Sequence, residues 1–341
     1  MTTRDSGAHR EPTRNDVARL AGVSTAVVSY VVNDGPRPVA AATRARVLDA
    51  IDKLGYRPNT AARSLITGRS GLVGLIVPDV ENPYFAALAK AVEIAAAARG
   101  VRLVLGQSLS GGFLELLDSL AGHQVDGILT ATLPPAAFLT DHWIGRVPLV
   151  VVSLALSASP VPVLYPDYRA GARTGVGHLV EVHGRRTVAL VTGSDGMDER
   201  EIGWREALAV SGLSPGPIVR IPWSAQGGAQ GADELADRHP EVDAIFVTSD
   251  QQAVGLLAGL HRRGRRVPDD LAVVSFDGSL AGEFTIPGLT TVAVPFADLA
   301  VAALDALVAD LPQDRVFPLG LVVRESCGCG RDGGQSTAST R

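Results

Sequence analysis

The stretch DVARLAGVSTAVVSYVVND, residues 16–34, decides how the rest of this 341-residue chain is read. Val17, Ala18, Leu20 and Ala21 recur at helical spacing, and Val28, Val31 and Val32 do so again beyond Gly22. Gly22 suits a tight left-handed turn. Ser24 stands where a hydroxyl can accept an orphan backbone N–H at the start of the second helix. Two short helices joined by a three-to-four-residue turn containing glycine form a helix-turn-helix. The second helix then points Thr25, Ala26, Ser29 and Tyr30 outward, and the first turns of such a helix meet base edges in a major groove. The alternative is a helical hairpin packed on the rest of the chain.

Charge separates the two readings. The net charge is -5, which alone argues against a nucleic-acid partner. Its distribution argues for one. Residues 1–70 hold eleven Lys/Arg against six Asp/Glu, net +5, while the other 271 residues hold 20 against 30, net -10. A basic head on an acidic body suggests one end that binds a polyanion and a body with another task. No apolar run approaches the ~18 residues of a membrane span, and MTTRDSGAHREPTR lacks the apolar core of a secretory signal. The expected location is therefore the cytoplasm, with no membrane partner. The two cysteines, Cys327 and Cys329, are too close for an easy disulfide and too few for a zinc site, so the expectation is two plain reduced thiols. The seven histidines show no metal-ligand spacing along the chain, and no cofactor is expected.

The flanks of the opening stretch sharpen the reading. TRARVLDAIDKLGYRPN places Val47, Ile51 and Leu54 on one helical face, and the approach to Pro58 ends that helix. Asn59 can cap a fourth short helix, TAARSLITG, that closes at Gly68. The ordered motifs VAxxAGVS, VSxVVN, TRxRVLxAIxxLGYxPN and AARSL resemble the LacI/GalR family of bacterial transcription regulators across residues 15–70, without gaps. The resemblance implies roles. Thr25, Ala26 and Tyr30 match base-contacting positions, Val27 and Ser29 match phosphate-contacting ones, and Asn33 matches the asparagine after the recognition helix. Asn59 to Thr67, with Arg63, looks like the family's hinge helix, and Leu65 matches the wedge that unstacks and kinks DNA in the minor groove. Many members carry arginine where this chain has Tyr30; arginine reads guanine bidentately and tyrosine does not. The third helix also lacks a capping side chain, since Val39-Ala40-Ala41 offers none.

From Ser70 onward the rhythm changes to apolar strands alternating with amphipathic helices: GLVGLIVPD, VRLVLGQS, VDGILTA, VPLVVVSL, RTVALVTG, VDAIFVTSD and LAVVSFDG, with helices between. This implies parallel sheets covered on both faces. About ten strands are too many for one small sheet, so the expectation is an all-α head joined by a hinge helix to an α/β body of two doubly wound parallel-sheet subdomains. Ligands bind such sheets off the strands' carboxyl ends. PDVENPYF, ERxxGW, SDQQAVG, FDGS and IPGLTTV match the family in order, and its body looks like a periplasmic sugar-binding protein. The resemblance implies a tail over 1–12, a helix-turn-helix domain over 13–58, hinge and linker over 59–70, and a body over 71–330. One subdomain takes 71–169 and 295–318, the other 172–291 and 320–329, and composition predicts a disordered tail over 331–341. It further implies effector roles for Tyr84, Phe85, Asp167, Arg200, Trp223, Asp250 and Asp277. A guanidinium fork suits effector oxygens, Asp277 would accept from hydroxyls, and Trp223 would stack on a sugar ring. The glycine-rich GQSLSGGFL (106–114) departs from the family, as does the apolar pair Val294-Pro295 near the expected ligand.

The implied protein is a homodimeric repressor of a near-palindromic operator, governed by a sugar-like effector. Two rivals share the body. An enzyme would need GxSxG, GxxxxGK[ST] or HExxH, and none is present. A transport binding protein would need a signal peptide and no helix-turn-helix.

Overall fold

The computed structural model describes residues 12–33, 35, 37–57, 68–108, 112–132, 134, 147–152, 159–193, 195–309 and 313–330. The expected terminal tails and hinge helix, with Asn59, Arg63 and Leu65, lie outside the described residues, as does part of the glycine-rich 106–114 segment. The chain divides into two compact units, Met1–Ser70 and Gly71–Arg341.

The first unit contains α1 (Arg14–Ala21), α2 (Thr25–Val32) and α3 (Ala41–Leu54). Asp16 begins α1 by accepting from the Thr13 N–H and hydroxyl at 2.9 and 2.6 Å. Gly22 ends it at φ +65, and Ser24 caps α2 by accepting from the Val27 N–H. Val17, Val28 and Val47 are fully buried and meet Ala18, Ala21, Val31, Ala50 and Tyr56 in one small core. No side chain caps α3 at Ala40, in line with the sequence. Its end differs from expectation: Gly55 at φ +64, rather than Pro58, terminates the helix. The N–H groups of Gly55 and Tyr56 close on Asp52 and Ile51, and the Tyr56 ring turns into the core.

The second unit holds two six-stranded sheets. The first has β1 (Leu72–Val77), β2 (Arg102–Gln107), β3 (Gly127–Thr130), β4 (Leu149–Val152), β5 (Val163–Pro166) and β11 (Arg315–Phe317), in the order β11-β5-β4-β3-β1-β2, every pair parallel. The second has β6 (Val188–Thr192), β7 (Ile218–Arg220), β8 (Ala244–Val247), β9 (Ala272–Asp277), β10 (Thr290–Ala293) and β12 (Gly320–Val322), in the order β12-β10-β9-β8-β6-β7. Only β12 runs antiparallel, against β10.

Helices cover both faces of each sheet. On the first, α4 (Pro83–Ala97) brings Leu88 and Val92, and α5 (Phe113–Gly122) brings Phe113 and Leu117 to the opposite face. On the second, α6 (Tyr168–Gly177) and α7 (Glu199–Val210) bury Val176, Trp204 and Leu208 on one face. There α8 (Ala225–Arg238) and α9 (Asp250–Arg262) bury Ala232, Leu235, Leu256 and Leu260 on the other. Finally α10 (Phe296–Ala306) returns to the first sheet beside α4. Burial on both sides explains the uninterrupted apolar strands: all five residues of β6 and all six of β9 are buried. Among the described residues no helix is long and apolar enough to cross a membrane.

Candidate functional site

In the head, α2 presents one side to solvent. Val28 and Val31 turn α2 inward, which leaves Thr25, Ala26 and Asn33 exposed and Val27, Ser29 and Tyr30 half-buried along its outer side. The Asn33 amide donates to the Ser29 hydroxyl at 3.2 Å and so orients both groups. Tyr30 rests against the turn that follows: the Gly35 N–H donates to the Tyr30 carbonyl, and a β-carbon at Gly35 would stand 2.6 Å from the ring. Tyr30 thus holds a ring seated against its own turn.

The body offers a cavity of about 320 Å³ between its two sheets, at the small end of the ~300–1,000 Å³ range of ligand sites. One wall comes from the β1–α4 connection and start of α4 (Asp79, Asn82, Tyr84 and Phe85), with Ala131 after β3. The other wall comes from the ends of elements in the second half: Tyr168 opening α6, Arg200 in the first turn of α7, Trp223 after β7, Ser249 after β8 and Asp277 closing β9. This is the carboxyl-end location that parallel topology favours.

Arg200 is fixed on several sides. Its Nη2 and Nε donate to Asp198 at 2.9 and 3.3 Å, and its Nη1 donates to the Thr248 carbonyl at 3.1 Å. These bonds use three of five guanidinium N–H groups. The cation lies 4.9 Å from the Trp223 ring and 5.2 Å from Tyr168. Burial opposes its charge, but Asp198, then Tyr168 and Asp277, outweigh burial and hold its pKa above the ordinary value. Trp223 has room because residue 193 is glycine: a β-carbon there would lie 2.4 Å from the indole. The Tyr84 and Tyr168 hydroxyls meet at 3.2 Å, one from each wall.

Asp277 is buried, at φ +116, with Oδ2 accepting from the Asp250 N–H at 3.2 Å. Its pKa lies well above the usual carboxylate range, first through burial and next through neighbouring Asp250, against the pull of Arg200. The arrangement combines a cationic fork, an aromatic face, a buried carboxyl group and several hydroxyl or amide groups. That suits a neutral, hydroxyl-rich ring.

Of the seven body residues singled out from sequence, Tyr84, Phe85, Arg200, Trp223 and Asp277 line this cavity. Asp167 and Asp250 are not among the lining residues, and Asp250 takes the second of the two places the sequence leaves open to it, holding the cavity rather than lining it. Asp167 caps α6, accepting from the Ala170 N–H at 2.9 Å. Asp250 is fully buried behind Asp277, accepting from Ser275 Oγ, Thr291 Oγ1 and the Ser279 N–H. A carboxylate so engaged supports the cavity from behind. Tyr168, Asp79, Asn82 and Ser249 escape the sequence reading. The last three stand within or beside the quoted motifs at strand ends, which is the signal that could have found them; Tyr168 has only its place at a helix start.

A helix-turn-helix unit and a two-sheet body with a cleft at its strand ends are the architecture of a DNA-binding regulator with a ligand-binding domain. Residues 13–59 match the family described as bacterial regulatory proteins, lacI family, and residues 176–327 match a periplasmic binding protein-like domain. The HTH-type transcriptional regulator CelR of Thermobifida fusca is 35% identical over 93% of this chain and 98% of its own. A solved CelR–cellobiose complex is 33% identical, with a TM-score of 0.67 over 92% of this chain and 99% of that one. The lac repressor dimer bound to operator and the anti-inducer ONPF is 26% identical, with a TM-score of 0.81 over 93% and 99%. The chain belongs to the LacI family of transcriptional regulators.

Proposed function

We propose that this regulator is a repressor that binds a near-palindromic operator as a homodimer and responds to a sugar or sugar derivative held in the body cleft. The observation that carries the effector reading is Arg200, stacked on Trp223 and facing the same small cavity as Asp277. Relatives support it: the CelR structure holds cellobiose, and the lac repressor structure is a dimer on operator DNA. Thr25, Ala26 and Tyr30 meet base edges, Val27 and Ser29 lie toward the sugar-phosphate backbone, and Asn33 completes the DNA-binding set just after the helix. In the hinge, Asn59 and Arg63 belong to the DNA-binding set, and Leu65 enters the minor groove as a wedge. The effector changes DNA affinity by the difference between its affinities for the two states of the body, and by no more than that.

A thermal-shift panel of mono- and disaccharides, sugar phosphates and nucleobases tests the effector class. A true effector at ~100 times its Kd adds roughly 2.7 kcal/mol of stability. A single sugar-class hit that also alters operator binding supports the reading, and a nucleobase hit replaces it. A blank across the panel rejects a sugar effector.

Operator selection tests the head. Tyr30→Arg is expected to shift base preference toward guanine at one symmetric pair, with discrimination of about 1–3 kcal/mol, because the fork then reads O6 and N7. An unchanged consensus from the selected pools would remove Tyr30 from the base-reading set.

A further inference from the structure

Sequence spacing gives two plain thiols at Cys327 and Cys329 and histidines without metal-ligand spacing. Folding nevertheless brings two of those histidines to both cysteines. His178, His183, Cys327 and Cys329 converge, with one ligand atom from each lying within 4.8 Å of every other. His178 Nε2 is 3.2 Å from His183 Nε2, 3.3 Å from Cys327 Sγ and 3.7 Å from Cys329 Sγ, and His183 Nε2 is 3.3 Å from Cys329 Sγ. A tetrahedral zinc with ordinary Zn–N and Zn–S bonds holds two nitrogens about 3.3 Å apart and a nitrogen about 3.6 Å from a sulfur. The His178–His183 pair and the three His–Cys pairs given above fall within about 0.3 Å of those spacings, and closing the remaining pairs, none wider than 4.8 Å, takes a shift of about 1 Å or less. Hydrogen bonding alone does not account for them, since one imidazole nitrogen carries either a single proton or a single lone pair and His178 Nε2 faces three partners.

Local backbone geometry builds this convergence. Residues five apart on an α-helix point about 140° away from each other. Here α6 runs into a π-turn at His178–Val182, whose wider winding brings His178 and His183 onto one side. On the other strand of the site, Gly328 adopts φ +113, so the chain reverses between the two cysteines. A β-carbon at that position would stand 3.1 Å from His183 Nδ1. The cysteine loop is itself pinned to the second sheet through Ser326, which donates to the Val273 carbonyl at 2.7 Å and accepts from the Thr290 N–H at 2.8 Å.

We propose that His178, His183, Cys327 and Cys329 form a tetrahedral Zn²⁺ site that fastens the C-terminal cysteine loop to the end of α6. Two thiolates, two neutral imidazoles and Zn²⁺ sum to zero charge, which suits a site with one buried and three half-buried ligands. Binding releases one proton from each thiol, so Zn²⁺ and two R–SH give Zn(SR)₂ and two H⁺. Tetrahedral Cys₂His₂ sets belong to structural zinc. The site lies about 15 Å along α6 from the cleft residue Tyr168. It is therefore independent of the effector reading, and each can fail without the other.

The test uses the full-length chain, tag-free, loaded with Zn²⁺ and cleared of excess by gel filtration. The expected result is about one zinc per chain by inductively coupled plasma mass spectrometry. Cobalt exchange should give the intense visible bands of a tetrahedral Co²⁺–thiolate centre. Cys329→Ser and His183→Gln should each weaken zinc binding by roughly 100-fold or more, because losing a ligand exceeds the 10–100-fold effect of losing a ligand's supporting partner. His123→Gln, remote in sequence, should leave the stoichiometry intact. Chelation should lower the wild-type Tm, and zinc should restore it. Wild-type protein that retains no zinc, or retains the same amount as both ligand variants, overturns the proposal. A cobalt spectrum without thiolate bands does so too, whatever the stability of the variants.

Discussion

Arg200→Ala is expected to bind operator DNA as the wild type does and to lose the effector. The guanidinium carries charge-assisted bonds worth about 1.5–3 kcal/mol each, and among the described residues two of its N–H groups are left for a ligand beside Trp223. The sugar found by the thermal-shift panel should therefore bind the variant about 100-fold or more weakly, as read by isothermal titration. The helix should survive the change, because Asp198 caps α7 by accepting from the backbone N–H groups of residues 200 and 201, which alanine retains. Arg200→Lys is expected to recover little, since a point charge replaces a fork seated over an aromatic ring. Unchanged affinity in both variants would move the binding site elsewhere in the cleft.

The second large effect concerns pH. The raised pKa of Asp277 means that the folded state holds its proton more tightly than the unfolded chain does. Stability from this group is fully present below the unfolded value of about 3.9 and is lost as pH rises through the folded value. An asparagine side chain in its place has no charge to bury. Asp277→Asn should therefore match the wild type near pH 4 and become progressively the more stable of the two as pH rises toward 8, while binding the effector poorly. The left-handed backbone at φ +116 does not penalise the exchange, because asparagine tolerates that region. Melting temperatures measured at half-unit pH steps, without effector, decide the matter. A gap that stays flat, or closes with rising pH, would show that Asp277 is not held protonated by its surroundings.

Much of this architecture is legible in the sequence because long apolar strands and glycine-punctuated helices speak locally. The helix-turn-helix could be read from three valines, a glycine and a serine. Other elements were silent for physical reasons. β7 and β11 are three-residue edge strands, too short for any periodicity. α8, AQGGAQGADELADR, gives a weak helical signal because glycine disfavours helices. Its glycines serve packing: a β-carbon at Gly228 would lie 1.9 Å from the Gln252 carbonyl, and one at Gly255 of α9 would lie 1.7 Å from that of Ala225. The two helices approach so closely that only hydrogen fits between their backbones. Among the cleft residues, those at strand ends could be anticipated, whereas the support role of Asp250 depends on neighbours from β9 and β10, 25 to 41 residues away. The His/Cys cluster was hidden more deeply, by a separation of 149 residues and a π-turn.

The chain passes between the two sheets of the body at three places: from β5 into α6, from β10 into α10, and from β11 into β12. The first and third are laced together where the Asp167 N–H donates to the Phe317 carbonyl at 2.8 Å. With three separate crossings, neither half can turn relative to the other unless all three backbone segments accommodate the change. Asp167 serves two of these ties at once: its side chain caps α6, and its N–H joins the first crossing to the third.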